Sequence, residues 1–141
     1  MTGVQTCALP IFMYSFSVKT GGKEELVDIS SQVQQFVRDS GKSDGICCVY
    51  TPHTTAGITI NENADPTVQK DILKGLAHLN LESVHFLHME GNSPSHIKSS
   101  IIGCSEMLLV ENGKLVLGTW QGIYFCEFDG PRTRKVMVKF A

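Results

Sequence analysis

The chain has 141 residues, 42% of them hydrophobic, with a formal charge of −2 and a pI near 6.2. One buried core and a single domain are expected, and so small a net charge gives no electrostatic ground for a nucleic-acid partner or an acidic membrane surface. No apolar run approaches the roughly 18 residues of a membrane span, no Lys or Arg precedes Lys19 to open a signal peptide, and five cysteines without a C-x-x-C pair form neither a disulfide framework nor a zinc ribbon, so a cytoplasmic protein without a membrane partner is expected.

Residues 1 to 12 show no periodicity matched to the rest, and residues 1 to 11 resemble a frame translation of a sequencing adapter. They are set aside as a non-native extension, and the domain is read as 13 to 141. Tyr14, Phe16 and Val18 alternate with Ser15, Ser17 and Lys19, the period-two pattern of a half-buried strand. Leu26 to Ile29 predicts a second short strand. Val33, Phe36 and Val37 then recur at helical spacing between Ser30-Ser31 and the stop at Gly41. Gly41-Lys42-Ser43 resembles the end of a phosphate loop, but Phe36 stands where that motif needs glycine.

Ile46 to Tyr50 has strand length and composition, and it leads into the richest stretch of the chain, Thr51 to Pro66. There a histidine, several Thr and Asn side chains and two carboxylates surround the short apolar run Ile58-Thr59-Ile60. Asp65-Pro66 predicts a helix start, because Asp accepts otherwise unmet N–H bonds and Pro loses nothing at the first helical position. Val68, Ile72, Leu73, Leu76 and Leu79 mark one face of that helix. Val84 to Leu87 predicts a strand, and Gly91 to Pro94 predicts a turn. Asn112-Gly113 between apolar runs predicts a hairpin. Trp120 to Phe128 and Arg134 to Phe140, separated by Asp129-Gly130-Pro131, predict a second. The sum is an α+β fold, a β-sandwich of mostly antiparallel strands with two main helices. Both faces of Trp120 to Phe128 carry apolar residues, which calls for cover from a second sheet or from a neighbouring subunit.

His53, His88 and His96 stand beside turn residues rather than on an apolar face. His88 and His96 flank the expected turn, so their imidazoles are predicted to converge and, with His53 and a carboxylate such as Glu62 or Glu90, to suit zinc or a similar divalent ion. His78 and His85 receive no chemistry. Asp65 and Asp129 have structural explanations as a helix cap and a turn former. Gln121 and Glu127 are separated by about 20 Å along one strand and cannot serve one small site in a single subunit. Lys98, Arg132 and Arg134 are the candidates for contact with an anion, as a small phosphorylated substrate requires.

Pro52-His53-Thr54-Thr55-Ala56 with Asn61-Glu62-Asn63-Ala64-Asp65-Pro66, His88-x-Glu90-Gly91-Asn92 with His96-x-Lys98, and Gly118-Thr119-Trp120-Gln121-Gly122-Ile123 resemble the YjbQ family, over Met13 to Ala141. The resemblance implies a trimer with a histidine-containing site near the subunit seam. It also implies the activity of a secondary thiamine-phosphate synthase, which joins a pyrimidine diphosphate to a thiazole phosphate and releases diphosphate. By family position His53, His88 and His96 are the site histidines, and Glu62, Asp65, Lys98, Gln121, Glu127 and Arg132 are the polar residues around them. In such a transferase a divalent ion, zinc or magnesium, and cationic groups would stabilise the departing diphosphate, with His53 or Glu62 handling protons. The alternatives are a trimer that binds a metal or anion without catalysis, and a metal-dependent phosphate-ester hydrolase.

Overall fold

The computed structural model describes residues 13 to 141, so the reading of residues 1 to 12 lies outside the described residues. The alternating N-terminal run forms β1 (Met13–Lys19), followed by β2 (Glu25–Asp28). Helix α1 (Ser30–Ser40) buries Val33, Phe36 and Val37 and stops at Gly41, whose φ of 69° is the left-handed cap that glycine adopts without steric cost. Strands β3 (Gly45–Tyr50) and β4 (Ala56–Glu62) flank the corner at 51 to 55. Asp65 Oδ1 accepts the Thr67 N–H at 2.9 Å and the Thr67 hydroxyl at 2.7 Å, which opens α2 (Thr67–Ala77). The chain continues through α3 (Ser93–Ile102), β5 (Ser105–Glu111), β6 (Lys114–Leu115), β7 (Gln121–Glu127) and β8 (Thr133–Phe140).

The eight strands of the described residues form two sheets, β1-β8-β3-β5-β6 and β2-β7-β4, in which every described pairing is antiparallel. Val18, Cys47, Val49, Leu108, Val136 and Val138 of the larger sheet meet Ile58, Ile123 and Phe125 of the smaller one, and α1 adds its apolar face to the same core. This is the expected α+β sandwich. The predicted hairpin is present, with Val110 opposite Leu115 and positive φ at both Asn112 and Gly113, as a tight two-residue turn requires. Among the described residues no helix is long and apolar enough to cross a membrane.

Three local expectations are corrected. Among the described residues the main helices number three rather than two, because Gly91 to Pro94 leads into α3 instead of reversing the chain; Asn92 is its cap residue and Pro94 lies in its first turn. That is the same polar-cap-then-proline signal that marked α2, hidden here by a run of Ser and Gly. Val84 to Leu87 forms no strand. Strands β7 and β8 are not a hairpin either, since they belong to different sheets and Asp129-Gly130-Pro131 carries the chain between them. Gly130 packs tightly there, where a Cβ would lie 2.4 Å from the Gly22 carbonyl oxygen.

Both faces of β7 are covered within the one chain. Ile123 and Phe125 enter the sandwich core. Tyr124, Cys126 and Phe128 are also buried, on the side where α2 and α3 lie: Gln69 of α2 donates to the Tyr124 hydroxyl at 2.5 Å, and Ser95 of α3 donates to the Phe128 carbonyl at 2.6 Å. Helix α3 approaches β4 closely at Gly57, where a Cβ would meet the Gly103 carbonyl oxygen at 2.8 Å. The burial pattern of β7 thus needs no neighbouring subunit.

Candidate functional site

Beyond Tyr50 the backbone ladder between β3 and β8 ends, because Pro52 has no N–H to donate. Lys135 of β8 still presents a carbonyl and an N–H to that side, and two side chains take the place of the missing strand. The Thr51 hydroxyl donates to the Lys135 carbonyl at 3.0 Å, and His53 Nε2 accepts the Lys135 N–H at 2.9 Å. A backbone N–H can only donate, so Nε2 holds a lone pair and the ring proton sits on Nδ1. Partial burial holds the His53 pKa below its usual 6.5, helped by the Arg134, Arg132 and Lys135 charges and opposed by Glu127. His53 is therefore a neutral imidazole whose free hydrogen-bonding group is Nδ1–H.

Beneath it lies a buried ion pair. Arg134 points inward from β8 and Glu127 inward from β7, each almost fully out of solvent. Arg134 Nε donates to Glu127 Oε2 at 2.7 Å and Nη2 donates to Oε1; Nη2 also donates to the Thr55 hydroxyl at 2.8 Å. Thr20 and the Asp129 N–H complete the carboxylate's bonds, at 3.0 Å each. Burial pushes the Glu127 carboxyl up, but the Arg134 and Asp129 bonds, the Arg134 charge and the Thr20 bond together hold it below its ordinary value.

The N-terminal end of α3 closes the third side. Asn92 Nδ2 donates to Asp129 Oδ2 at 2.9 Å and to Glu90 Oε2 at 3.1 Å, and Arg132 Nη2 donates to the same Asp129 oxygen at 3.2 Å. His88 Nε2 lies 3.8 Å from Glu90 Oε1. His53, Thr55, Asn92, His96, Arg132 and Arg134 bound a cleft of about 290 Å³. A second cleft of about 530 Å³, walled by Tyr50, Ser99 and Cys104, shares His53 and His96 with the first.

Of the predicted site residues, His53, His96 and Arg132 line the cleft, and His88 joins through His96, the two rings standing edge to face with centroids 5.4 Å apart. Glu127 lies under the cleft as the partner of Arg134. Lys98 does not face it: its amine is buried elsewhere and donates to Glu24 Oε2 at 2.5 Å. Glu62 and Gln121 pair with each other at the far ends of β4 and β7, six residues from the Ala56 and Glu127 pair and thus about 20 Å away. Asp65 lies beyond Glu62 as the cap of α2. Asn92 and Arg134 were absent from the family-derived set. Arg134 was legible only as an anion candidate, and Asn92 only as one residue of the expected Gly91 to Pro94 turn and of the motif that carries the family resemblance.

The arrangement as it stands does not fit a protein-held divalent ion. Among the described residues no group of three or more His, Cys, Asp or Glu is placed to hold one, and the Nε2 lone pair of His53 is already committed to Lys135. No chemical step is therefore assigned to a metal.

Two outcomes follow from this geometry. Arg134→Ala strands a buried carboxylate and is expected to cost about 3–5 kcal/mol in denaturant unfolding, whereas Arg132→Ala, half exposed, should cost under about 1 kcal/mol; equal costs would show that the buried pair is not a clamp. His53 takes up a proton more readily unfolded than folded, so its contribution to stability is present above pH 6.5 and declines as pH falls through the lowered folded value. Melting curves of wild type and His53→Gln between pH 7.5 and about 5, spanning the histidine range, should diverge at the top of that window and converge at the bottom. Parallel curves would contradict the neutral state assigned to the ring.

A family profile described as UPF0047 protein YjbQ-like matches residues 14–141. A UPF0047 protein of Methanocaldococcus jannaschii is 53% identical over 127 residues, covering 90% of this chain and 92% of its own length. The UPF0047 protein YugU of Bacillus subtilis is 52% identical, covering 89% and 96%. Among solved structures, a YjbQ/UPF0047 protein of Clostridium acetobutylicum superposes with a TM-score of 0.88 at 54% identity, covering 91% of this chain and 99% of that one. A Sulfolobus solfataricus protein described as of unknown function gives 0.87 at 36% identity, covering 92% and 95%. With the family profile spanning nearly the whole chain and relatives above half identity, this chain belongs to the YjbQ/UPF0047 family.

Proposed function

We propose that the cleft binds a phosphorylated small molecule and that the chain is a thiamine-phosphate synthase-like transferase, joining a pyrimidine diphosphate to a thiazole phosphate with release of diphosphate. The observation that carries this reading is the pair of adjoining compartments meeting at His53 and His96. A transferase has to hold two reactants side by side, since orientation in a shared site supplies much of the rate. One compartment presents arginine and the other does not, which suits a diphosphate arm in the first and the second reactant in the next. The departing diphosphate takes the electron pair of the broken bond, so negative charge grows on its oxygen. Arg132, half exposed, can exchange Asp129 for that oxygen, while Arg134 is fixed by Glu127 and contributes a standing field. His53 Nδ1–H is the neutral donor beside them. The reaction belongs in a reducing cytoplasm, with which the four free cysteines of the described residues are consistent.

The same proposal includes assembly with copies of this chain. Ile46, Tyr50, Met107 and Leu109 lie on the outer face of the larger sheet with 37%, 40%, 67% and 58% exposure, and Ile46 sits directly opposite Leu109. Helix α2 carries an apolar stripe yet has no fully buried residue. Apolar faces of this kind are what a subunit interface covers; the resemblance to the family supplies the number three.

Purified protein given the pyrimidine diphosphate and the thiazole phosphate should form thiamine phosphate and diphosphate. His53→Ala and Arg132→Ala should each lower the rate by about tenfold or more, on the scale of lost general-acid or oxyanion contacts. Binding without turnover would favour the non-catalytic alternative, and hydrolysis of one precursor alone would favour the hydrolase. Sedimentation should report a trimer that Leu109→Glu dissociates; a wild-type monomer would overturn the assembly.

A further inference from the structure

His96 and Lys98 stand two residues apart on α3, about 200° around the helix from one another. His96 therefore lines the cleft, while Lys98 lines a different cavity of about 340 Å³ between the β1–β2 loop and the C-terminal end of α2. This cavity shares no lining residue with either compartment of the cleft. The Lys98 side chain is only 5% exposed, and its one bond among the described residues goes to Glu24 Oε2 at 2.5 Å. An ammonium carries three hydrogens, so two remain without a protein acceptor on a charge that burial makes costly to leave under-bonded. Glu24 is 25% exposed; its other oxygen, Oε1, takes part in no bond among the described residues and keeps accessible surface. The pair thus presents a charged donor and a charged acceptor side by side, each only partly used.

The remaining lining says what would use them. Exposed Lys23 and Glu82 add one charge of each sign, so two cations and two carboxylates border the cavity and cancel. A ligand of single charge is attracted by one set and opposed by the other, whereas a zwitterion with its charges close together meets both. The rest of the wall is apolar, Leu76 and Leu81 being half-buried and Ala77 ending α2. The volume lies at the small end of the range of small-molecule sites, about 300–1,000 Å³.

We propose that this cavity binds a free α-amino acid with an aliphatic side chain. Its carboxylate accepts the two remaining Lys98 N–H bonds, its ammonium donates to Glu24 Oε1, and its side chain lies against Leu76 and Leu81. The proposal is independent of the reading of the cleft.

The test is a titration of isotope-labelled protein, followed by amide and side-chain resonances, with three probes of one shape. These are L-leucine, 4-methylpentanoate, which lacks the ammonium, and 3-methylbutylamine, which lacks the carboxylate. Leucine should give saturable shifts centred on Glu24, Leu76, Leu81 and Lys98, and should bind about tenfold or more tightly than either analogue, the scale of one lost hydrogen bond to a charged group. Lys98→Met and Glu24→Gln should each lower leucine affinity by a similar factor. Glu24→Gln keeps an acceptor for Lys98 and the shape of the cavity, so it decides the matter even if Lys98→Met folds poorly. No saturable shift at millimolar leucine would make the pair a structural ion pair alone and overturn the proposal. So would equal binding of the three probes, shifts centred elsewhere, or unchanged leucine affinity in Glu24→Gln.

Discussion

The buried pair of Arg134 and Glu127 is the constraint on which the rest of the site depends. It joins the inner faces of the two sheets at the end of the sandwich where the apolar core stops, with Val136 and Val138 continuing the core along β8. An ion pair out of water stabilises a fold only when its remaining lone pairs and protons are met, and here Thr20, Thr55 and the Asp129 N–H meet them. Those bonds fix three chain segments at once: the end of β1, the corner before β4 and the loop between β7 and β8. Two of those segments, the corner before β4 and the loop after β7, wall the cleft.

A second consequence is local. Because Pro52 interrupts the ladder, the Lys135 peptide is satisfied by the side chains of Thr51 and His53 rather than by a neighbouring strand. A side chain that lines the cleft is thus also a replacement for backbone, which sets its tautomer and keeps it neutral. The histidine expected as a metal ligand becomes a hydrogen-bond donor through Nδ1–H. Helix α3 completes the enclosure, held against β4 by the Ser99 hydroxyl donating to the Ala56 carbonyl at 2.6 Å and by the bare backbone of Gly57.

Much of the fold was legible because it rests on periodicity and turn chemistry. The alternation in β1, the helical spacing of Val33, Phe36 and Val37, and the Asn112-Gly113 turn all fell where the residues placed them. What escaped was pairing between distant segments. Nothing in Trp120 to Phe140 announces that the chain changes sheets at Gly130, since a hairpin and a crossover have the same local pattern. The site divided along the same line. His53, His96 and Arg132, which line the cleft, stood out as polar residues beside turns, whereas the burial of Glu127 and Lys98 depends on partners in other elements, Arg134 and Glu24. Glu62, Asp65 and Gln121 share a motif with the cleft residues but stand at the opposite end of the smaller sheet. The strand rise already set Gln121 about 20 Å from Glu127, whereas the place of Glu62 became visible only with its pairing to Gln121.

The central claim is that phosphate is met at the His53, Asn92 and Arg132 end of the sandwich. Titrating isotope-labelled protein with inorganic diphosphate and following amide and side-chain resonances tests it most directly. Shifts concentrated on His53, Thr55, Asn92, His96, Arg132 and Arg134 are predicted. Saturable shifts confined to Glu62, Asp65 and Gln121, or none at millimolar diphosphate, would contradict it.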